Sequence, residues 1–132
     1  MISMDYSGKN YIVTGGAGGI GGAVVDGIVA GNGHAIIVDI NEAAARKYQE
    51  KYGEDKVSIA NVNLADPAEI REKFGKLVEK FGQIHGLICV AGVVSTPKFE
   101  DVTQAEWDRV IAINLTGVYA SIQSVFTNMK EH

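Results

Sequence analysis

Residues 14 to 21 read Thr14-Gly15-Gly16-Ala17-Gly18-Gly19-Ile20-Gly21, and nine of the sixteen glycines fall between Gly15 and Gly33. This run stands between the apolar cluster Tyr11-Ile12-Val13 and a small-residue segment of helical character over residues 21–30. A helix N-terminus offers unpaired N–H groups and the positive end of the helix dipole, which hold a phosphate wherever no Cβ blocks its approach. Glycines at 15, 19 and 21 allow a tight turn, a close approach and close helix-to-strand packing, the requirements of a pyrophosphate cradle. A merely flexible turn is the plainer alternative; the strand-loop-helix setting argues for the cradle. Asp39 ends the next apolar cluster, about 20 residues past the loop, where a carboxylate can accept hydrogen bonds from an adenosine ribose. The same charge repels the additional phosphate of NADP. No Lys or Arg stands in the loop or directly after Asp39, so NAD is the expected ligand and NADP the lesser one. Asp39 could instead be a solvated strand end or a helix cap, although Asn41 is the stronger cap.

The elements needed to position these residues are legible. Apolar runs at Tyr11-Ile12-Val13, Ala35-Ile36-Ile37-Val38, Val57 with Ile59 and Val62, and Leu87-Ile88-Cys89-Val90 alternate with segments of helical period. Continuously apolar strands separated by helices are what a parallel sheet covered on both faces requires. The expected class is α/β: a Rossmann-type doubly wound parallel sheet of four strands in the order 3-2-1-4. One helix covers residues 42–52. Asp66-Pro67-Ala68-Glu69 combines a cap, a first-turn proline and an acid at the third helical position, opening a helix that buries Ile70, Phe74, Leu77, Val78 and Phe81 and ends at Gly82. Thr103-Gln104-Ala105-Glu106 opens a long helix with an apolar stripe of Trp107, Val110, Ile111, Asn114, Val118, Ile122, Val125 and Met129. Asn114 stands out there, because an amide within an apolar stripe needs partners. It could be no more than a satisfied core asparagine.

Composition excludes several classes. The chain has 132 residues, 46% hydrophobic and 21% charged, with net charge −4, which suits one globular domain and offers no basic field for nucleic acid or an anionic membrane. The single cysteine, Cys89, excludes an intrachain disulfide and fits a reducing compartment. No spanning apolar run or signal peptide is evident in the reading of Met1 to Asp5 and beyond, so the expected location is cytoplasmic. The three histidines and Cys89 show no metal-ligand spacing. A triphosphatase loop needs Gly-Lys-Ser/Thr, and Gly19-Ile20 supplies no lysine. A methyltransferase loop is the nearest competitor; Val13 and Thr14 occupy the region where its acid is expected.

These residues resemble the N-terminal half of the short-chain dehydrogenase/reductase family, whose cofactor motif Thr-Gly-x-x-x-Gly-x-Gly is matched in full by Thr14 to Gly21. The resemblance extends through Asn63-Leu64-Ala65-Asp66, Cys89-Val90-Ala91-Gly92 and Ile113-Asn114-Leu115-Thr116-Gly117. It implies that Gly15, Gly19, Ile20 and Gly21 meet the pyrophosphate, Asp39 and Ile40 the adenosine, Asn63 and Leu64 the adenine, and Ala91 and Gly92 the nicotinamide ribose. Asn114 is similar to the catalytic asparagine that kinks its helix and holds a water in the family's proton relay. The implied reaction is hydride transfer between NAD and an alcohol or ketone.

Several positions depart from the family pattern. Asn63 replaces an aspartate, which removes charge assistance from any bond to the adenine amino group. Cys89 and Val90 replace the two asparagines of Asn-Asn-Ala-Gly, and His85 stands where aspartate is common. Tyr52-Gly53-Glu54-Asp55-Lys56 has the spacing of the family's Tyr-x-x-x-Lys pair, but Gly53 should end the helix and part the two side chains. The chain is therefore expected to be truncated before the catalytic Ser/Tyr/Lys segment, either as a fragment or as a natural half-domain, and to be inactive alone. A non-catalytic dinucleotide-binding or redox-sensing module is the alternative. An uncovered sheet edge and helix stripe predict homo-oligomerisation through the C-terminal long helix.

Overall fold

The computed structural model describes residues 3–132; of the N-terminal reading, Met1 and Ile2 lie outside the described residues. Four strands, β1 (Asn10–Thr14), β2 (His34–Asp39), β3 (Val57–Asn61) and β4 (Gly86–Cys89), form one sheet in the order β3-β2-β1-β4. Every pairing is parallel, so each connection is a crossover. Helices α1 (Gly19–Ala30), α2 (Glu42–Tyr52) and α3 (Pro67–Phe81) supply those crossovers. After β4 come a 3-10 turn (Phe99–Asp101), α4 (Gln104–Ile111), a π-helical segment (Ala112–Thr116) and α5 (Gly117–Glu131).

Period-two alternation along the strands sorts the core into two layers. Ile12, Ile36 and Val38 face one way and meet Val62, Ile70, Phe74, Leu77, Ile84, Ala120 and Val125. Val13, Ala35, Ile37 and Val57 face the other way and meet Val25, Ile28 and Ala45. Both faces of the central strands are thus dry, which accounts for their continuous apolar sequence. The expected fold class and strand order stand.

The helix starts follow local chemistry. Asn41 Oδ1 accepts from Ala44 N–H, Asp66 Oδ1 from the N–H groups of Ala68 and Glu69, and Thr103 Oγ1 from Glu106 N–H. Neither acid closes a reciprocal box: Glu69 accepts from Asn63 N–H and Lys73, and Glu106 pairs with Arg109. Boundaries differ modestly from expectation. α1 begins at Gly19 rather than Gly21, β4 covers residues 86–89, and Val62 lies one residue past β3 yet is fully buried.

The long helix departs further. The π segment inserts an extra residue into the ladder, which rotates the downstream residues by about 100° relative to a regular helix. α5 therefore buries Gly117, Ala120, Ser121 and Val125, packing on α3 and β4, while Ile122 and Met129 from the expected stripe are exposed; Trp107, on α4 ahead of the π segment, is exposed as well. Asn114 falls inside the π segment and is exposed rather than core. Contrary to the sequence reading, the continuous helical run Gln104–Glu131 is long and apolar enough to match a bilayer by length and composition. Its Asn128 and Ser121 are nevertheless committed within the fold, Asn128 to Ile84 N–H and Gly82 C=O and Ser121 to Gly117 C=O.

A polar chain closes the opposite, N-terminal end of the sheet. Asn10 and His34, the first residues of β1 and β2, are register partners. Asn10 Nδ2 donates to the carbonyls of Phe81 (3.3 Å) and Gln83 (3.1 Å), which leaves Oδ1 as the acceptor facing His34 Nδ1 at 2.8 Å. Asn10 N–H donates to His85 Nδ1 at 2.9 Å. Burial, reinforced by the Lys80 charge and opposed by Asp55, lowers the His34 pKa. With the folded pKa below the unfolded value, the unfolded chain binds the proton more readily, so stability falls as pH drops below about 6.5 toward the depressed value. Thermal melts at pH 7.5 and pH 5 should show a lower midpoint in acid, and His34→Gln should narrow that difference; an equal acid loss in both proteins would count against the assignment.

Candidate functional site

The C-terminal ends of parallel strands are where a doubly wound sheet opens a crevice, because the crossovers leave there to opposite faces. Here β1 turns sharply at Gly15, whose φ is +68°, and Gly15 N–H donates to Val38 C=O across the strand ends at 2.8 Å. A Cβ on Gly15 would lie 2.8 Å from the backbone of Ala91, and one on Gly21 would lie 2.0 Å from the Gly15 carbonyl oxygen. Both positions exclude any side chain. Gly19 differs, since a Cβ there would project into open space; glycine is not required by the protein's own packing at that point.

The space so formed is a cavity of about 540 Å³. All ten residues expected to meet a dinucleotide, Gly15, Gly19, Ile20, Gly21, Asp39, Ile40, Asn63, Leu64, Ala91 and Gly92, line it. Ile20 and Ile40 are 75% and 69% exposed at its rim. Val62, Val90, Val93 and Ile113 also line the cavity. None of these four was expected to line the site; Ile113 stands within the quoted Ile113-Asn114-Leu115-Thr116-Gly117 motif, while the arrival of Val93 depends on the path taken after β4.

The electrostatics suit a phosphate at one point and hydroxyls at another. α1 alone among α1 to α4 begins without a side-chain cap, and it has no acid in its first turn. Its first residues, Gly19 to Gly21, line the cavity. Asp39 stands across the loop, with Oδ2 accepting from Ala17 N–H at 3.1 Å and Oδ1 from Asn41 N–H at 2.9 Å. Its carboxylate is held in place by the backbone while retaining acceptor capacity. Asn63 Oδ1 accepts from Ala65 N–H at 3.0 Å, so part of its acceptor capacity is committed to its own turn.

At the far wall, buried Thr14 binds the chain leaving β4: its carbonyl accepts from Val90 and Ala91 N–H, and its Oγ1 from Ala91 N–H at 3.4 Å. Burial pushes the Cys89 thiol pKa up, against a smaller lowering by the Thr14 hydroxyl, which keeps it protonated and weakly nucleophilic. Asn114 does not line the cavity. Its Oδ1 accepts from Val93 N–H at 2.8 Å and its Nδ2 donates to Val93 C=O at 2.7 Å, clamping the wall that Val93 forms. Tyr52 and Lys56 lie apart from all of this: α2 stops at Tyr52, Gly53 has φ +91°, and the Tyr52 hydroxyl donates to Asp26.

Known proteins resemble this chain in sequence and fold. A family model described as short chain dehydrogenase matches residues 9–132. A 3-alpha-(or 20-beta)-hydroxysteroid dehydrogenase of Mycobacterium bovis is 31% identical over 94% of this chain and 47% of its own length. Short-chain dehydrogenase reductase 3a of Arabidopsis thaliana is 31% identical over 99% of this chain and 51% of its own. Among solved structures, a 3-ketoacyl-(acyl-carrier-protein) reductase from Brucella melitensis complexed with NADH superposes with a TM-score of 0.89 at 25% identity, covering 96% of this chain and 52% of that one. The chain spans about half the length of the curated relatives it matches. With the family model matched over residues 9–132 and a parallel sheet in the order β3-β2-β1-β4, the chain belongs to the short-chain dehydrogenase/reductase family.

Proposed function

We propose that this chain is the cofactor-binding half of an NAD-dependent oxidoreductase acting on an alcohol or its ketone. The observation carrying the proposal is the convergence of Gly15, Gly19, Ile20, Gly21, Asp39, Ile40, Asn63, Leu64, Ala91 and Gly92 on one cavity at the strand ends. The pyrophosphate would lie on the uncapped start of α1, the adenosine ribose on Asp39, and the nicotinamide ribose against Ala91 and Gly92. When bound, the nicotinamide supplies the hydride donor or acceptor. The chain's own residues bind and orient it; Asn114, by clamping Val93, acts as a positioning residue that holds the wall on the nicotinamide side. Asp39 favours NAD over NADP, since a second phosphate beside that carboxylate would meet like charge in a partly dry site.

A dinucleotide-binding or redox-sensing module without chemistry of its own is a second reading, favoured by Cys89 and Val90 where the family has asparagines. Sequence of the whole protein distinguishes the two: a serine and a Tyr-x-x-x-Lys pair beyond residue 132 would support the enzyme. The environment we propose is cytoplasmic.

We also propose that a second copy covers α5. Tyr119, Ile122, Phe126 and Met129 are exposed and follow each other at three- and four-residue intervals, which aligns them as a seam on one helix face. Sedimentation at micromolar concentration should show a dimer or larger, and Phe126→Glu should shift it toward monomer. A wild-type monomer would refute this.

Titration calorimetry with NAD and NADP tests the cofactor reading. The wild type should prefer NAD by about tenfold or more, and Asp39→Ala should erase most of that preference; a wild type that binds neither, or prefers NADP, would overturn it. Gly19→Ala and Gly21→Ala separate packing from binding. Gly21→Ala should cost about 1–3 kcal/mol of stability through overpacking, whereas Gly19→Ala should leave the melting temperature unchanged or higher while weakening NAD.

A further inference from the structure

At the N-terminal ends of the strands, remote from the glycine loop, lies a second cavity of about 630 Å³. Its walls include Asn10, His34 and Ser58, which stand on three adjacent strands. His34 to Asp39 spans the length of β2, so the two cavities are separated by roughly 16 Å of strand.

Hydrogen bonding at this end fixes the proton positions. Asn10 Nδ2 is committed to the Phe81 and Gln83 carbonyls, so Asn10 Oδ1 must accept from His34 Nδ1–H at 2.8 Å. In the neutral ring the other nitrogen, Nε2, is then the acceptor. It lies 2.8 Å from Ser58 Oγ, the hydroxyl that can donate to it. A hydroxyl on an imidazole nitrogen, with the far nitrogen oriented by a fixed amide oxygen, is the nucleophile-base-orienter arrangement of acyl-transfer sites. Lys80 lines the same cavity and brings a positive charge, while Phe81 and Ile59 give it an apolar wall.

We propose that Ser58, His34 and Asn10 form an acyl-transfer site that cleaves short-chain carboxylic esters, independent of the dinucleotide site. Ser58 Oγ attacks the ester carbonyl carbon, and its proton passes to His34 Nε2. Among the lining residues Lys80 is the cation available to the resulting oxyanion, with Glu54 and Asp55 bringing opposing charge to the same cavity. The carbon–oxygen bond to the leaving alcohol breaks as that oxygen takes the proton from His34. Water, deprotonated by His34, then attacks the acyl-serine; the acid departs and Ser58 recovers its proton. No oxidant or metal is required. Burial and the Lys80 charge, opposed by Asp55, lower the His34 pKa and so favour the neutral ring, the state in which it can act as a base. The charged groups around it are Lys80 on α3 and Glu54 and Asp55 in the turn before β3.

The test is reaction of the purified protein with a fluorophosphonate, followed by peptide mass spectrometry, together with hydrolysis of p-nitrophenyl acetate. Labelling should fall on Ser58, and Ser58→Ala should lower the hydrolysis rate by at least about tenfold with an unchanged circular dichroism spectrum. Hydrolysis should also decline in acid as His34 takes up a proton. An adduct on another residue, no adduct, or wild-type hydrolysis by folded Ser58→Ala would overturn the proposal. The labelling needs no variant, so a folding defect in the mutant cannot mask the answer, and neither measurement depends on whether NAD binds.

Discussion

The turn at Gly15 admits no side chain, and the site depends on that exclusion. Ala91 presses on it from the β4 side, and Gly21 lets the first turn of α1 settle on its carbonyl. The first turn of α1, which follows directly in sequence, and the ends of β2 and β4, which are distant in sequence, thereby meet at one point. The consequence is geometric: the start of α1, the end of β2 and the chain leaving β4 all face a common crevice. Strand pairing supplies the frame for this contact, since Thr14 ends β1 in register with Val38 and Cys89, which levels the three strand ends. A side chain at residue 15 or 21 would lift the helix away and widen the crevice.

What could be read in the sequence was what local chemistry dictates. The glycine spacing, the acid at Asp39, the cap at Asp66 with Pro67 behind it, and the apolar runs of the central strands each carry their own physical reason within a few residues. The parallel sheet followed from burial on both faces, and the strand order from the Rossmann-type reading. Legibility failed where one residue of helical phase decides the outcome. An extra residue in the ladder at Ala112–Thr116 turned Ile122 and Met129 outward and Ala120 and Ser121 inward. Periodicity at 3.6 residues cannot reveal such a step, because each side of it remains regular. Asn114 drew notice for being polar in an apolar stripe; its actual partner, Val93, lies on a loop whose course is set by tertiary packing.

The two ends of the sheet are built on different principles. At the C-terminal end, main-chain groups and small residues make a hollow whose polarity comes from backbone donors and one carboxylate. At the N-terminal end, side chains supply the connections: Asn10, His34, Ser58 and His85 join four strand starts into one hydrogen-bonded chain. No sequence spacing announces the second arrangement, as its members lie 24 to 75 residues apart. It emerges only when parallel register aligns the first residues of neighbouring strands.

The central claim is that the glycine crevice holds the dinucleotide, and amide chemical shifts during an NAD titration test it most directly. Saturable shifts are expected at Gly15, Gly19, Ile20, Gly21, Asp39, Ala91 and Gly92, with Asn10, His34 and Ser58 unmoved. Shifts confined to other segments, or none at millimolar NAD, would contradict it.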